Sequence, residues 1–505
     1  MKSRINIFLG TLAAFALGFS SCKGLDVNPN GFYSEDNFYN TVEDAQAALY
    51  YAYDGLTYNS YTQGVMYFSE LASDNADVKL DEGADAVQIM NWEVTNQNEF
   101  VLQFYRSLYI AINRANAVIE NVPGRGFSQE DENRLLGEAY FLRAFNHFYA
   151  VRTYGLVPLQ RSLIDKLDET NASLPTNMQE VYTFLIEDAM KAADLLKVNR
   201  SIGRADQVAA QALLAKIYLF AASAKESGVP LYDQISTSVD DLYANAALYA
   251  KKVLTEQTEY SHEPNLLSIY NVEDTRGKEL IFTSSFDRSG VHEGDYSALS
   301  KYYVPYISGS AVYLKNTDGS FSPTHDGWSV VQPTTAIKFA LGDTDKRRTE
   351  LLIKEVFDKD GNSAASVSGG TLQYEFSRKF IDSKFEGDKT STRPFYLRYS
   401  DVQLMYAEAA ADADGLVQLN QIRTRAGVAL MTDAEFTAMS KADFRNAVID
   451  ERQKELAFEW DRLWDLRRKN MVQTKVSAAA GLTPEQLAFY PIPQREIDLN
   501  PNFKP

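Results

Sequence analysis

Cysteine is almost absent from this chain: Cys22 is the only thiol in 505 residues. No disulfide can form within the chain, and no thiolate metal cluster or redox pair can be built. Histidine is scarce too, with four residues. His262-Glu263 and His292-Glu293 lack the second histidine that a zinc-protease helix needs. Gly-x-Ser-x-Gly, Walker-type and Gly-x-Gly-x-x-Gly sequences are missing, so the usual signatures of acyl transfer and nucleotide binding are not there. An excess of basic residues is also missing. Lys and Arg number 50 against 68 Asp and Glu, a net charge of −18, and such a field repels polyanions and argues against nucleic acid. Beyond the N-terminus no run of 18 apolar residues occurs, so the body contains no obvious membrane span. Stability must come from a large hydrophobic core, and chains of this size bury about three quarters of their unfolded surface.

The one cysteine stands at an informative place. Met1 to Ser21 carries Lys2 and Arg4, an apolar run from Ile7 to Leu17, and then Gly18, Ser20 and Ser21. A basic start, a short apolar segment and a small-residue exit are the marks of a signal peptide, here 1–21. Cys22 at the exit point resembles a bacterial lipoprotein box, with Phe19 where leucine is usual. On this reading Cys22 is lipidated and becomes the first mature residue; the alternative is an ordinary signal with an incidental thiol. Loss of Lys2 and Arg4 takes the net charge from −18 to −20.

A lipidated N-terminus and tether, 22–40, contains the turn residues Pro29, Asn30 and Gly31. Helical periodicity starts at Thr41, an N-cap with Asp44 three residues on, and Ala45, Ala48, Leu49 and Ala52 form its apolar face. Tyr53 to Asn96 keeps no helical period and is rich in Tyr, Asn, Asp and Gly. Its Ser73-Asp74-Asn75-Ala76-Asp77 run and isolated Trp92 suit a polar-ligand loop as well as a surface excursion. Helices are expected over 100–122, 129–154, 178–196, 206–222 and 240–255, where apolar residues step by three and four. The Ala144-x-x-x-Phe148 spacing fits tetratricopeptide-like helix pairs.

From 260 to 393 the character changes. Glu279 to Thr283 reads as a strand, and Thr371 to Ile381 as extended. Asp318-Gly319, Asp326-Gly327 and Asp360-Gly361 signal turns. Tyr296, Tyr302, Tyr303, Tyr306 and Trp328 cluster here. In a chain that is 12% aromatic with 30 tyrosines, such rings serve helix packing or sugar stacking equally well. Helix returns at 399–410 and 417–426 and in one long segment, 443–469. The tail 490–502 is extended, because Pro491 and Pro493 exclude a helix. No linker divides 41–505, which reads as one body: a helical part 41–259, a loop-rich insert 260–395, and a helical part with tail 396–505.

The segment Asp450 to Arg468 is the most informative. Ile449, Leu456, Trp460, Leu463 and Trp464 form an apolar face at helical spacing between charges of both signs. Asp465 and Arg468 can pair, and the two indole N–H groups lie in reach of flanking acids. This is a core helix sealed by ion pairs; a catalytic role for Glu455, Glu459 or Asp461 is the lesser alternative. The stretch Glu451-Arg-x-x-Glu-Leu-Ala-Phe-Glu459, followed by an aromatic, Asp465-Leu466 and basic residues, resembles the signature of the SusD/RagB family, and Pro491-Ile-Pro-x-x-Glu-Ile-Asp-x-Asn-Pro501 completes it. Four further stretches agree: Glu138–Ala144 with Tyr154–Pro158, Gly203-Arg-Ala with Ala212–Tyr218, Tyr396–Val402 with Tyr406–Glu408, and Leu419–Gly427. Trp460-Asp461 departs from the family's usual Gly-His.

The resemblance implies a mostly α fold in which tetratricopeptide-like pairs support a loop-rich ligand face with a few short strands. It implies a non-catalytic surface lipoprotein of the outer membrane of Bacteroidetes, facing the exterior. Such a protein captures oligosaccharides for a SusC-like TonB-dependent barrel, without a cofactor or metal. A peptide-capturing RagB-like protein is the alternative; a glycan-degrading enzyme, which needs only two carboxylates, is the lesser one. By position on the loops, candidate ligand contacts are Asp74, Asn75, Asp77 and Trp92, and Tyr296, Tyr302, Tyr303 and Trp328. Asp412-x-Asp414-Gly415 and Asp358-x-Asp360-Gly361 hint at calcium loops, but glycine falls at position 4 rather than 6, and surface turns explain them better.

Overall fold

Helices begin where the sequence supplies caps. In the computed structural model, which describes residues 38–166, 171–292, 294–307 and 312–503, Thr41 opens the helix Val42–Asp54 with a capping box. Its hydroxyl accepts the Asp44 N–H at 3.1 Å, and the Asp44 carboxylate accepts the Thr41 N–H at 3.0 Å. The signal peptide, Cys22 and the tether as far as residue 37 lie outside the described residues. Five long helices follow, each with a side-chain N-cap. They are Glu99–Asn121 (Asn98), Gln129–Tyr154 (Ser128), Met178–Leu195 (Asn177), Gln207–Glu226 (Asp206) and Val239–Thr255 (Ser238). Each such cap stabilises by about 1 kcal/mol.

Each of these five packs on the next. Gln207–Glu226 is long and apolar enough to cross a membrane, yet 78% of that window is buried among its neighbours. Its buried Ala209, Ala210, Ala212 and Ala215 allow the flanking helices to approach closely. The array then continues across the insert: Tyr399–Ala410 packs on Val239–Thr255, followed by Ala413–Ala426 and Lys441–Glu455. The fold is mostly α, as expected. Asp412 caps Ala413–Ala426, and Asp358 accepts the amides of Asp360 and Asn362, so both acidic Asp-Gly stretches act as local caps and turns.

Short strands build the insert. Leu280–Phe282, within the insert, pairs antiparallel with Leu397–Arg398 just beyond it. Phe321–Thr324, Val312–Lys315, Glu355–Phe357 and Ser363–Ser366 lie in that order in one sheet, whose hairpins turn at Asp318-Gly319 and Asp360-Gly361. Ala76–Val78 pairs with Val331–Pro333 and ties the early loop to the insert.

Four expectations need correction. The stretch 53–96 contains the helices Asn59–Met66 and Ala84–Met90 and a π-helical turn Tyr67–Leu71, elements too short to show a period. Of 371–381, only Phe376–Ser377 forms a strand. In the tail, Pro493 starts the helix Gln494–Leu499 instead of preventing one; a missing N–H costs nothing at a helix entrance. The segment 443–469 is two helices, ending at Glu455 and resuming over Arg462–Arg468. Between them Phe458 and Trp460 adopt left-handed φ of +67° and +69°. Glu70 accepts the Trp460 N–H at 2.8 Å and Tyr303 donates its hydroxyl to the Phe458 carbonyl at 3.3 Å, so tertiary contacts hold the strained turn.

That turn sits between two largely buried networks, each with as many cations as carboxylates. In the first, Arg347, Lys379, Arg398, Arg423 and Arg425 meet Glu279, Asp345, Glu451, Glu455 and Glu459; Arg398 reaches Glu279 and Glu455 at 2.8 Å each. Burial pushes the Glu455 carboxyl up, but Arg425, Arg398 and Arg347 overcome it and hold the group well below the carboxylate range. In the second, Arg152, Lys216, Arg452 and Arg468 meet Asp401, Glu408, Asp461 and Asp465. The Asp465–Arg468 pair, 2.7 Å, is the one expected from spacing. The indole N–H groups do not reach acids: Trp460 donates to Tyr303 Oη at 2.9 Å, and the Trp464 N–H finds no hydrogen-bond partner among the described residues.

Candidate functional site

The early loop turns inward. Asp74 receives Arg462 through two bonds of 2.7 and 2.8 Å and Gln453 Nε2 at 2.9 Å. Asn75 is fully buried, its side-chain carbonyl 3.2 Å from the same Gln453 amide. Trp92 is buried, donates its indole N–H to the Ala72 carbonyl at 3.0 Å and stacks on Tyr490 at 6.4 Å. In the late loop Tyr303 is also inside, stacked on Phe380 at 4.7 Å. Asp74, Asn75, Trp92 and Tyr303 are therefore corrected from ligand contacts to scaffold. Asp74 and Tyr303 are engaged by groups far away in sequence, Asn75 by Gln453 and nearby Glu70, and Trp92 by Ala72 and Tyr490, so their polar atoms are already committed. Glu455, Glu459 and Asp461, the lesser catalytic candidates, are likewise buried in ion pairs.

The other four candidates lie nearer the surface. Asp77 is exposed on the strand opposite Gln332, and partial enclosure raises its carboxyl pKa against the pull of Lys338. Tyr296 is half-buried with the Lys389 ammonium 4.9 Å from its ring centre. Tyr302 is largely buried and accepts a 2.6 Å hydrogen bond from Gln63 Nε2. Trp328 remains 43% exposed.

How a large indole is held at the surface follows from the backbone around it. The helix Leu299–Tyr303 ends at Val304, and the segment through 327–329 folds back on it. Gly327, Trp328 and Ser329 donate to the carbonyls of Pro305, Lys301 and Val304 at 3.2, 2.7 and 3.0 Å. A Cβ on residue 327 would stand 2.1 Å from the Val304 oxygen, so only glycine permits this approach. The Trp328 ring then meets Tyr302 edge to face, 5.2 Å apart at 86°, and the Lys301 ammonium lies 5.5 Å from its centre. Lys301 is itself buried and ion-paired with Asp388. On the same loop the buried His325 donates Nδ1–H to the Asp326 carbonyl at 2.7 Å; burial lowers its pKa and keeps it neutral. The result is an aromatic platform anchored from below, with carboxylates beside it.

Two family models cover most of the chain. One, the SusD family, matches residues 255–504; the other, described as starch-binding associating with outer membrane, matches residues 25–219. The chain belongs to the SusD family. Among its relatives are SusD-like protein P2 of Formosa agariphila, 26% identical over 98% of both chains, and a SusD-like protein of Bacteroides ovatus, 24% identical over 92% of this chain and 82% of that one. In structure it resembles a SusD homologue from Bacteroides thetaiotaomicron, with a TM-score of 0.74 and 21% identity over 94% of this chain and 98% of the other. A laminarin-binding SusD-like protein aligns with a TM-score of 0.72 at 20% identity, over 91% and 97%. The SusD fold thus places the helical array as support, and the platform rises from the insert.

Gln63, Lys301, Asp388 and Lys389 escape sequence reasoning. Gln63 and Lys301 sit in helical turns with nothing to mark them, and Asp388 and Lys389 fall in a loop of ordinary composition. Only the Lys301-Tyr302-Tyr303 adjacency carries a hint, since three consecutive helical residues cannot all face the same way.

Proposed function

We propose that this SusD-family chain is a non-catalytic receptor that captures oligosaccharides on the Trp328 platform. It passes them to a SusC-like TonB-dependent barrel while held by lipid on Cys22 at the outer face of the outer membrane. The observation that carries this reading is the half-exposed Trp328 indole, fixed by three backbone hydrogen bonds and an edge-on tyrosine. An ordered, partly exposed indole offers a sugar ring a stacking face at little ordering cost. Tyr302 backs it, while Tyr296, against Lys389, and the exposed Asp77, on the strand opposite Gln332, are further candidate contacts. The laminarin-binding relative and the starch-binding description of the N-terminal family model favour glycan over peptide. A shallow platform of this kind binds at tens of μM to mM, about −6 to −4 kcal/mol. Trp328→Ala is expected to weaken glycan binding about tenfold or more, with an unchanged melting temperature. Glycan titration beside thermal melts decides it, and unaltered affinity in the variant refutes the platform.

A further inference from the structure

Beside the platform stands a carboxylate in an unusual position. Glu386 and Lys389 pair across a two-residue hairpin turn, with reciprocal N–H to carbonyl bonds of 3.0 Å, and Gly387 and Asp388 form its tip. Gly387 takes φ of +62°, which the tight turn requires. Three contacts hold this hairpin in place. Lys389 Nζ donates to the Gly290 carbonyl at 2.6 Å, Phe385 packs edge-on against His325 at 5.1 Å, and Thr390 bridges Ser297. Asp388 bonds the buried Lys301 ammonium through Oδ1, yet its side chain stays 71% exposed. An exposed carboxylate normally swings freely; this one is pinned from below by a cation the protein has already desolvated.

We infer that Asp388 is a ligand-contacting, specificity-determining residue that makes the platform select uncharged glycans. The inference rests on the Trp328 reading. A sugar stacked on Trp328 meets a carboxylate whose orientation is fixed before binding, so a hydroxyl donated to it forms a charge-assisted bond without a further ordering cost. A uronate or sulfate ester in the same place meets like charge. Lys301 is neutralised by Asp388 itself, and Lys389 is committed to the Gly290 carbonyl and the Tyr296 ring. Asp326 and Glu386 add negative charge nearby, within a chain of net charge −18.

The test uses the full-length protein in detergent against neutral glucans, mannans and galactans and the same glycans oxidised to carboxylates at C6. Wild type is expected to bind a neutral glycan about tenfold more tightly than its oxidised form. Asp388→Asn, which keeps the shape, should weaken the neutral ligand and strengthen the oxidised one until that gap closes. Asp388→Glu should keep both the gap and the melting temperature, while Asp388→Asn, which leaves Lys301 without its counter-charge, lowers the melting temperature somewhat, so affinities are compared per folded molecule. A preference for the oxidised ligand, or an unchanged ratio in Asp388→Asn, overturns the inference. Trp328→Ala run beside it separates the two readings. Loss of binding there with an unchanged Asp388→Asn ratio fails this inference alone, whereas wild type binding none of the glycans fails both.

Discussion

Lys301 and Lys379 make the same kind of contact in opposite settings. Each buried ammonium lies between an aromatic ring and a carboxylate: Lys379 is 5.1 Å from the centre of Tyr270 and 2.6 Å from Glu459, and Lys301 is 5.5 Å from Trp328 and paired with Asp388. Around Lys379 both partners are buried. Around Lys301 the ring is 43% and the carboxylate side chain 71% exposed. In the first arrangement the protein consumes every interaction it offers. In the second, one side of the ring and of the carboxylate is left for something else. Closed, the unit is scaffold; open, it is the surface proposed to receive a ligand.

Substitutions can break that contrast in order of effect. Lys379→Met leaves Glu459 with less cation in a dry site and should destabilise the fold by about 3–5 kcal/mol in urea unfolding; a loss near zero would mean that the closed unit is not closed. Trp92→Ala removes a buried indole and its bond to Ala72, so about 3–5 kcal/mol of stability should disappear, while affinity for glycan per folded molecule stays. Glu70→Gln sharpens the scaffold side through pH. Burial raises the Glu70 carboxyl to about 7, offset in part by the Trp460 N–H and Lys379. A raised folded pKa means the wild type is favoured below the unfolded value of 4.5 and loses that stability as pH rises through 7. The variant should therefore match wild type near pH 4 and exceed it by about 3 kcal/mol near pH 8; unfolding curves across that range give the answer. Lys301→Met leaves Asp388 facing water, and its cost in melting experiments should be under about 1 kcal/mol.

Much of the scaffold was legible in the sequence because its causes are local. Thr41 and Asp44, the alanine face of Val42–Asp54 and the stepping apolar residues of the five long helices declare themselves within a few positions. The break at 456–461 is different. No glycine or proline precedes Arg462 there, and Leu456, Trp460 and Leu463 keep a helical step. At the helix end the Glu455 carbonyl is taken by Lys379 and Arg398, and the turn that follows is held by Glu70, nearly four hundred residues away in sequence, accepting the Trp460 N–H. The early loop misled for the same reason. Asp74, Asn75 and Trp92 have the composition of a polar site, but their partners Arg462, Gln453 and Tyr490 come from the far end of the chain. Trp328 was visible as a residue; that it stays outside while Tyr303 goes in depends on the fold-back at Gly327, which no periodicity encodes.

The pairing of Leu280–Phe282 with Leu397–Arg398 has a consequence for how such a receptor can change. Because residues 283–396 leave and return at one strand pair, the ends of that part of the insert are fixed whatever lies between them. Closure entropy then grows only slowly with length, about 0.6 kcal/mol per doubling. Tips can lengthen, shorten or be exchanged between relatives at little thermodynamic expense, provided Tyr303, Phe380 and Lys379 keep their places against the signature turn. The insert can vary in length at little thermodynamic cost while the helical stack keeps its packing.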